Sequence, residues 1–177
     1  MQQISTSPIA LGAMRVGQRM STRDEGTAAA PLRAVFDIVR SVERWPEHLA
    51  HYRWVKMLSR DTQGGGVVEM SANRPFGPLN WPTFWRSLME VDHARPAVRF
   101  RHIGGVTKGM DVDWSFESVD NGRRTHITLI HEWDGPALLG AGIGGFAARS
   151  VIGPVFVHAI ASRTINGLAR SAERGAM

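Results

Sequence analysis

Two periodicities divide the chain. In PLRAVFDIVRSV, residues 31–42, Leu32, Val35, Phe36 and Val39 recur at three- and four-residue intervals, one apolar face of a helix whose first position suits Pro31. Trp45-Pro46 reads as its stop, because proline biases the preceding residue away from helical dihedrals, and EHLAH then makes a short second helix. From Tyr52 the period falls to two. YRWVKMLSR, VVEMSA after Gly64-Gly65-Gly66, FWRSLMEV, AVRFRHI, MDVDWSFESV and THITLIHEWD after Asn121-Gly122 read as strands separated by turn signals, which makes an antiparallel meander. A weaker strand is expected at about 19–28. Residues 154–174 return to the helical period, about 30 Å long at 1.5 Å per residue, with Val157, Ile160, Ala161, Thr164, Leu168 and Ala172 on one face.

A strand, two short helices, six strands and a long terminal helix predict an α+β fold. The economical packing curls a seven-stranded antiparallel sheet around the C-terminal helix, a grip that encloses an internal cavity. Residues 19–174 form the single domain, and 1–18 are expected to be a flexible N-terminal tail. In the last strand Ile127, Leu129, His131 and Trp133 share one face, and Thr128, Ile130, Glu132 and Asp134 the other. A face carrying both His131 and Trp133 reads as pocket lining as readily as core, since a buried imidazole needs a partner.

Composition narrows the function classes. The 177 residues are 43% hydrophobic and 21% charged, which is the composition of a globular domain. Cysteine is absent, so disulfides, thiolate metal ligands and a cysteine nucleophile are excluded, and a reducing cytoplasm is the expected setting. The net charge is +5, and because only Lys56 and Lys108 are lysines, 19 of the 21 basic residues are arginines. They are scattered from Arg15 to Arg174 without a dense block or an aromatic platform, so no nucleic-acid partner is expected. The first eighteen residues lack a charged start followed by an apolar run, and export is not expected. The apolar stretch 135–161 contains Arg149, six glycines and two prolines, which reads as a flexible lid leading into a helix rather than a stable membrane insertion.

Two motifs are decoys. His48-x-x-His51 can put two ligands on one helical face, but the nearest third candidate is Glu47, so no metal is expected. Gly140 to Gly145 contains G-x-G-x-x-G, yet a meander precedes it and no acid follows before Glu173, so no dinucleotide cofactor is expected. No G-x-S-x-G elbow occurs, which disfavours hydrolase chemistry.

PLRAVFDIVRSVERWPEHLAHY, RSLMEVDHARPAVRFRH, GMDVDWSF and HEWD resemble the polyketide cyclase/dehydrase branch of the START-like, helix-grip superfamily, particularly the aromatase/cyclases of the tetracenomycin type. The likeness spans roughly residues 19–174. It implies a cavity that accepts a poly-β-ketone carried on an acyl carrier protein, folds it, and promotes aldol closure and dehydration. By the same resemblance Tyr52 corresponds to a family tyrosine at the pocket mouth, and Trp85-x-Ser87 to the start of a Trp-x-Ser-x-Arg strand. The fifth position here is Met89, a thioether that supplies neither charge nor a strong donor where the family has arginine. Arg86 is adjacent but points to the other face. His102 and His131 stand where relatives have arginine and glutamine.

Aldol closure needs one group to remove a proton α to a carbonyl and donors to steady the developing oxyanion. The expected catalytic set is therefore His131 as base or acid, with Tyr52, Ser87 and His102 as donors. Trp45, Trp85, Met89, Met110, Trp114, Trp133 and Thr164 are the expected walls of a site for a hydrophobic or aromatic small molecule. Side-chain identity alone leaves wall and plain core both open for Met and Trp, and structural and catalytic roles both open for the histidines. The rival reading, favoured by Met89, is a non-catalytic carrier for a lipid, quinone or polyketide.

Overall fold

The computed structural model describes residues 3–4, 7–76, 79–135 and 157–176. Strand β1 is Gln3–Ile4, β2 Met20–Ala28, β3 Tyr52–Arg60, β4 Gly66–Phe76, β5 Leu79–Asp92, β6 Ala97–Gly105, β7 Asp111–Val119 and β8 Arg124–Trp133; helix α1 is Leu32–Arg40, α2 Trp45–His48 and α3 His158–Ala176. The strands form one sheet in the order β1-β3-β4-β5-β6-β7-β8-β2. From β3 to β2 the sheet is antiparallel and seven-stranded, as the alternation predicts, and the two-residue β1 adds a parallel edge on β3.

The helices start and stop for reasons that differ from the expected ones. Pro31 is the extended cap of α1 (φ −61°, ψ 148°) rather than its first helical residue, and α1 ends at Ser41 (φ −86°, ψ 58°), whose hydroxyl bonds the Asp37 carbonyl at 2.6 Å. A 3₁₀ turn, Val42–Arg44, follows. Trp45 is helical (φ −55°, ψ −38°) and Pro46 lies in the first turn of α2, so Trp45-Pro46 opens the second helix instead of closing the first. Proline is tolerated there because an N–H in the first turn has no acceptor within its own helix, so its loss breaks no helical bond. Helix α1 buries Val35, Phe36 and Val39, each worth roughly 1.5–3 kcal/mol of transfer from water.

Helix α3 packs on β2 and α1, with further contact to α2 and β8. The crossing on β2 is close because Gly26 is bare: a Cβ there would stand 2.4 Å from Ile165 Cγ2. The buried face of α3 includes Ala161, Thr164, Leu168 and Ala172 as expected, and also Ile165, Gly167, Ala169 and Ser171. The expected lid at 136–153, the Gly140–Gly145 motif and the expected helix start at Pro154 lie outside the described residues. Among the described residues no helix is long and apolar enough to cross a membrane.

Residues 9–18, expected as part of a tail, are bonded across the outer face of the sheet. The amides of Ile9, Leu11 and Gln18 donate to Asp61, Glu90 and Glu132 at 2.8, 3.1 and 3.1 Å. Arg99 and Arg101 reach back to the carbonyls of Gly12 and Leu11, at 2.7 and 3.0 Å. Leu11 is buried. The strap satisfies a row of charges, Arg101, Asp111 and Glu132, that pair side by side on neighbouring strands. In that row Asp111 is 4% exposed and is gripped by Arg15 and Arg101, both at 2.8 Å.

Candidate functional site

The inner face of the sheet can be read from its register. Trp85, Ser87 and Met89 of β5 lie opposite Met70, Val68 and Gly66 of β4 on one side, and Ser87 and Met89 lie opposite His102 and Phe100 of β6 on the other. Trp114 of β7 sits between Val98 and Leu129, and Val112 between Phe100 and His131. His131 and Trp133 of β8 face Thr22 and Met20 of β2. All eleven residues expected at the site are buried or half-buried; Trp45 and Thr164 come from helices and Met110 from the turn before β7, and the other eight from strands.

Aromatic contacts gather five of them into a continuous wall. The Trp45 indole donates to the Val39 carbonyl at 3.1 Å, which fixes its ring edge-on to Tyr52 (5.2 Å), Trp114 (6.0 Å) and Phe100 (6.2 Å). Tyr52 in turn meets Trp85 at 6.0 Å, and Trp85 stacks on His102 at 6.0 Å with 23° between the planes. A register shift between Tyr52 and Trp54 re-aims the start of β3, and another between Arg86 and Ser87 kinks β5 beside the wall. Arg86 points outward to Glu69, as period-two geometry requires.

The polar members fall into two groups. His102 Nδ1 lies 2.7 Å from Thr107 Oγ1, and the Ser87 hydroxyl opposite it is fully buried with no hydrogen-bond partner among the described residues. A buried donor left without a partner costs about 1–3 kcal/mol, so its retention on this face calls for an explanation. On the far side, His131 Nδ1 lies 3.3 Å from Thr22 Oγ1, while the Trp133 indole donates to the Lys108 carbonyl at 3.0 Å. Met89 is fully buried between Gly66 and Phe100, and Met110 is buried at the entry to β7.

Sequence reasoning missed two residues. His51, set aside as half of an incidental histidine pair, has Nε2 3.2 Å from Thr164 Oγ1 on α3 and its ring 4.9 Å from Tyr52, so it ties the helix to the aromatic wall. Thr164 in turn donates to the Ile160 carbonyl at 2.8 Å. His48 differs: burial first, then the nearby Arg44 and Arg174 charges, push its pKa down. The second missed residue is Asp24, an acid on the inner face of β2 whose side chain is 1% exposed. Its neighbours on that face, Met20, Thr22, Gly26 and Ala28, carry too little apolar signal for alternation to reveal which way it points. Among the described residues no group of three or more histidines and acids is placed to hold a metal ion.

Residues 28–156 match the family model for polyketide cyclase / dehydrase and lipid transport. A protein from Streptomyces cyaneus named "Putative polyketide cyclase" is 30% identical over 108 residues, 60% of this chain and 69% of that one. A second of the same name, from Streptomyces halstedii, is 28% identical over 102 residues, 57% of this chain and 91% of that one. Among solved structures, the Zhui aromatase/cyclase from Streptomyces sp. R1128 superposes with a TM-score of 0.72 at 19% identity, covering 87% of this chain and 93% of that one. A START superfamily protein from Mycobacterium smegmatis gives a TM-score of 0.62 at 12% identity, covering 89% and 97%. At such identities the two structures establish the fold alone.

Proposed function

Because the chain belongs to the polyketide cyclase/dehydrase and lipid transport family, we propose that it is a cyclase that folds a carrier-bound poly-β-ketone against the inner face of its sheet and promotes aldol closure and dehydration. The observation that carries this reading is the Ser87 hydroxyl, a fully buried donor with no partner among the described residues, set opposite a histidine and beside an indole. An unspent donor among flat aromatic walls suits a substrate rich in carbonyl oxygens and in planar conjugation.

In this reading His131 removes a proton α to one carbonyl. The resulting enolate attacks a second carbonyl carbon, and the oxygen that gains charge is met by donors from Tyr52, Ser87 and His102. Trp45, Trp85, Met89, Met110, Trp114, Trp133 and Thr164 hold the chain folded, which supplies the proximity that a flexible polyketone lacks in water. An acyl carrier protein would deliver the substrate as its thioester.

The test is reconstitution. A poly-β-ketone N-acetylcysteamine thioester incubated with the chain yields a cyclised, dehydrated aromatic product whose ring position differs from the spontaneous mixture. A product distribution identical to the mixture formed without protein removes the cyclase reading. A second reading, binding without catalysis, is favoured by Met89, which offers no charge at the position where the resemblance implies arginine. It predicts saturable binding of the same thioester with no change in product.

A further inference from the structure

Asp24 is the one carboxylate of β2 that faces inward. Arg23 and Glu25 on either side are exposed and pair with each other at 2.7 Å, while Asp24 lies opposite Leu129, two residue pairs along from Thr22 and His131. Residues two apart on a strand sit on one face about 7 Å from each other. The Asp24 carboxylate and the His131 imidazole therefore flank the same stretch of inner face. Of the two carboxylate oxygens, Oδ2 has no hydrogen-bond partner among the described residues and Oδ1 has one ionic contact. The group that meets it is the His158 imidazole, from the first turn of α3, whose side chain is 62% exposed. Glu132 of β8 lies on the outer face with Ser21 and Gln18, and Arg163 of α3 is exposed, so neither neutralises Asp24.

Burial of a carboxylate with one oxygen unpartnered is costly, and a purely structural ion pair gains little from being made this way. Burial pushes the Asp24 carboxyl up, against the pull of His158, so it binds a proton more readily than an ordinary aspartate does. A buried acid on a binding face, joined to an exposed imidazole, has the layout of a proton acceptor with an exit to solvent.

We propose that Asp24 is the second proton-transfer residue of this site, acting in dehydration opposite His131, with His158 carrying the proton out. The assignment rests on the cyclase reading above. In the step, the C–H bond α to the ring carbonyl breaks, its proton passing to the Asp24 carboxylate and its electron pair becoming the C=C bond. The C–O bond of the aldol breaks with its pair on oxygen, which takes the proton of the His131 imidazolium and leaves as water. Asp24 hands its proton to His158 and so to solvent, which balances the proton that the ring-closure alkoxide took from solvent to become the hydroxyl, and His131 is left neutral, as ring closure requires. Nothing is oxidised or reduced.

The experiment separates ring closure from dehydration by using two probes, the poly-β-ketone thioester and a preformed cyclic β-hydroxyketone thioester. Appearance of the conjugated enone is followed by absorbance. Asp24→Asn is expected to close the ring yet lower the kcat for dehydration by about 100-fold or more, the usual worth of one general base, with KM for the β-hydroxyketone unchanged. His158→Gln is expected to slow dehydration less and to be rescued by imidazole buffer, which replaces the lost exit. A merely structural role would instead move KM, or leave imidazole without effect. Should Asp24→Asn fail to fold, His158→Gln still decides. An Asp24→Asn protein that dehydrates at the parent's rate, or a His158→Gln defect indifferent to imidazole, overturns the assignment while leaving the cyclase reading intact. A parent chain that transforms neither probe overturns both.

Discussion

The indole of Trp85 lies face to face with the imidazole of His102, centroids 6.0 Å apart and planes 23° apart, and Thr107 holds the same imidazole at Nδ1 from 2.7 Å. Stacking fixes the plane of the ring and the threonine fixes its rotation, so the remaining nitrogen is aimed by two independent contacts. Replacing His102 by Phe keeps the stack and deletes the bond. It should cost about 1 kcal/mol in urea unfolding and slow ring closure of the thioester substrate by a larger factor. Wild-type turnover in a folded His102→Phe protein would remove His102 from the chemistry.

His131→Ala tests the proposed base. Expected are loss or redirection of ring closure, with binding of the poly-β-ketone thioester retained in an equilibrium titration. An unaltered product distribution takes His131 out of the mechanism, and binding lost together with activity makes it a wall residue.

Four indoles, Trp45, Trp85, Trp114 and Trp133, are buried on or beside the inner face. If a flat guest enters, anthraquinone should quench the tryptophan fluorescence saturably, and Trp114→Phe should lower the amplitude more than the binding constant. Fluorescence that falls only linearly with quencher, as for collisions from outside, speaks for a filled interior.

Asp111 governs a pH effect that is independent of catalysis. Burial alone would push its carboxyl up, but hydrogen bonds from Arg15 and Arg101 win and bring it from 3.8 down to about 2. The folded-state value is depressed, so the contribution is complete above the unfolded value and is lost as pH falls through the folded one. It amounts to about 2 kcal/mol at neutral pH. Asp111→Asn should lower the urea midpoint at pH 7, and the gap to the parent should shrink between about pH 4 and pH 2. A gap of constant size across that window would assign the loss to packing instead.

Gly26→Ala places a methyl against Ile165, whose β-branched side chain cannot swing clear. The expected loss is about 1–3 kcal/mol from overpacking, and Ile165→Ala in the same chain should recover part of it. Purely additive losses in that double-mutant cycle would mean that the two residues do not press on each other.

Strand order, the two short helices and the terminal helix were legible because each carries one strong period and a turn signal, as at Asp120-Asn121-Gly122, where all three residues take positive φ (51°, 54° and 84°). The wall was legible for the same reason: Trp85, Ser87 and Met89, or Ile127, Leu129 and His131, alternate cleanly. Asp24 was hidden by a strand whose inner side is small and polar, so its direction follows only from pairing with Leu129. His51 was hidden because its partner Thr164 is more than a hundred residues away. The outer strap has no period at all, since its bonds come from backbone amides and carbonyls that any sequence offers. Ser41 ended α1 before Trp45-Pro46 because local hydrogen bonding to Asp37 closed the helix first.

The strap running from Asp61 past Glu90, Arg101 and Asp111 to Glu132 binds the backs of β5 to β8 at once. Those same strands carry Ser87, His102, Trp114 and His131 on their fronts. How widely these groups stand apart is thus governed from behind, like the staves of a cask held by a hoop. Acid or salt that slackens the hoop alters the fit of a guest without touching any residue that meets it.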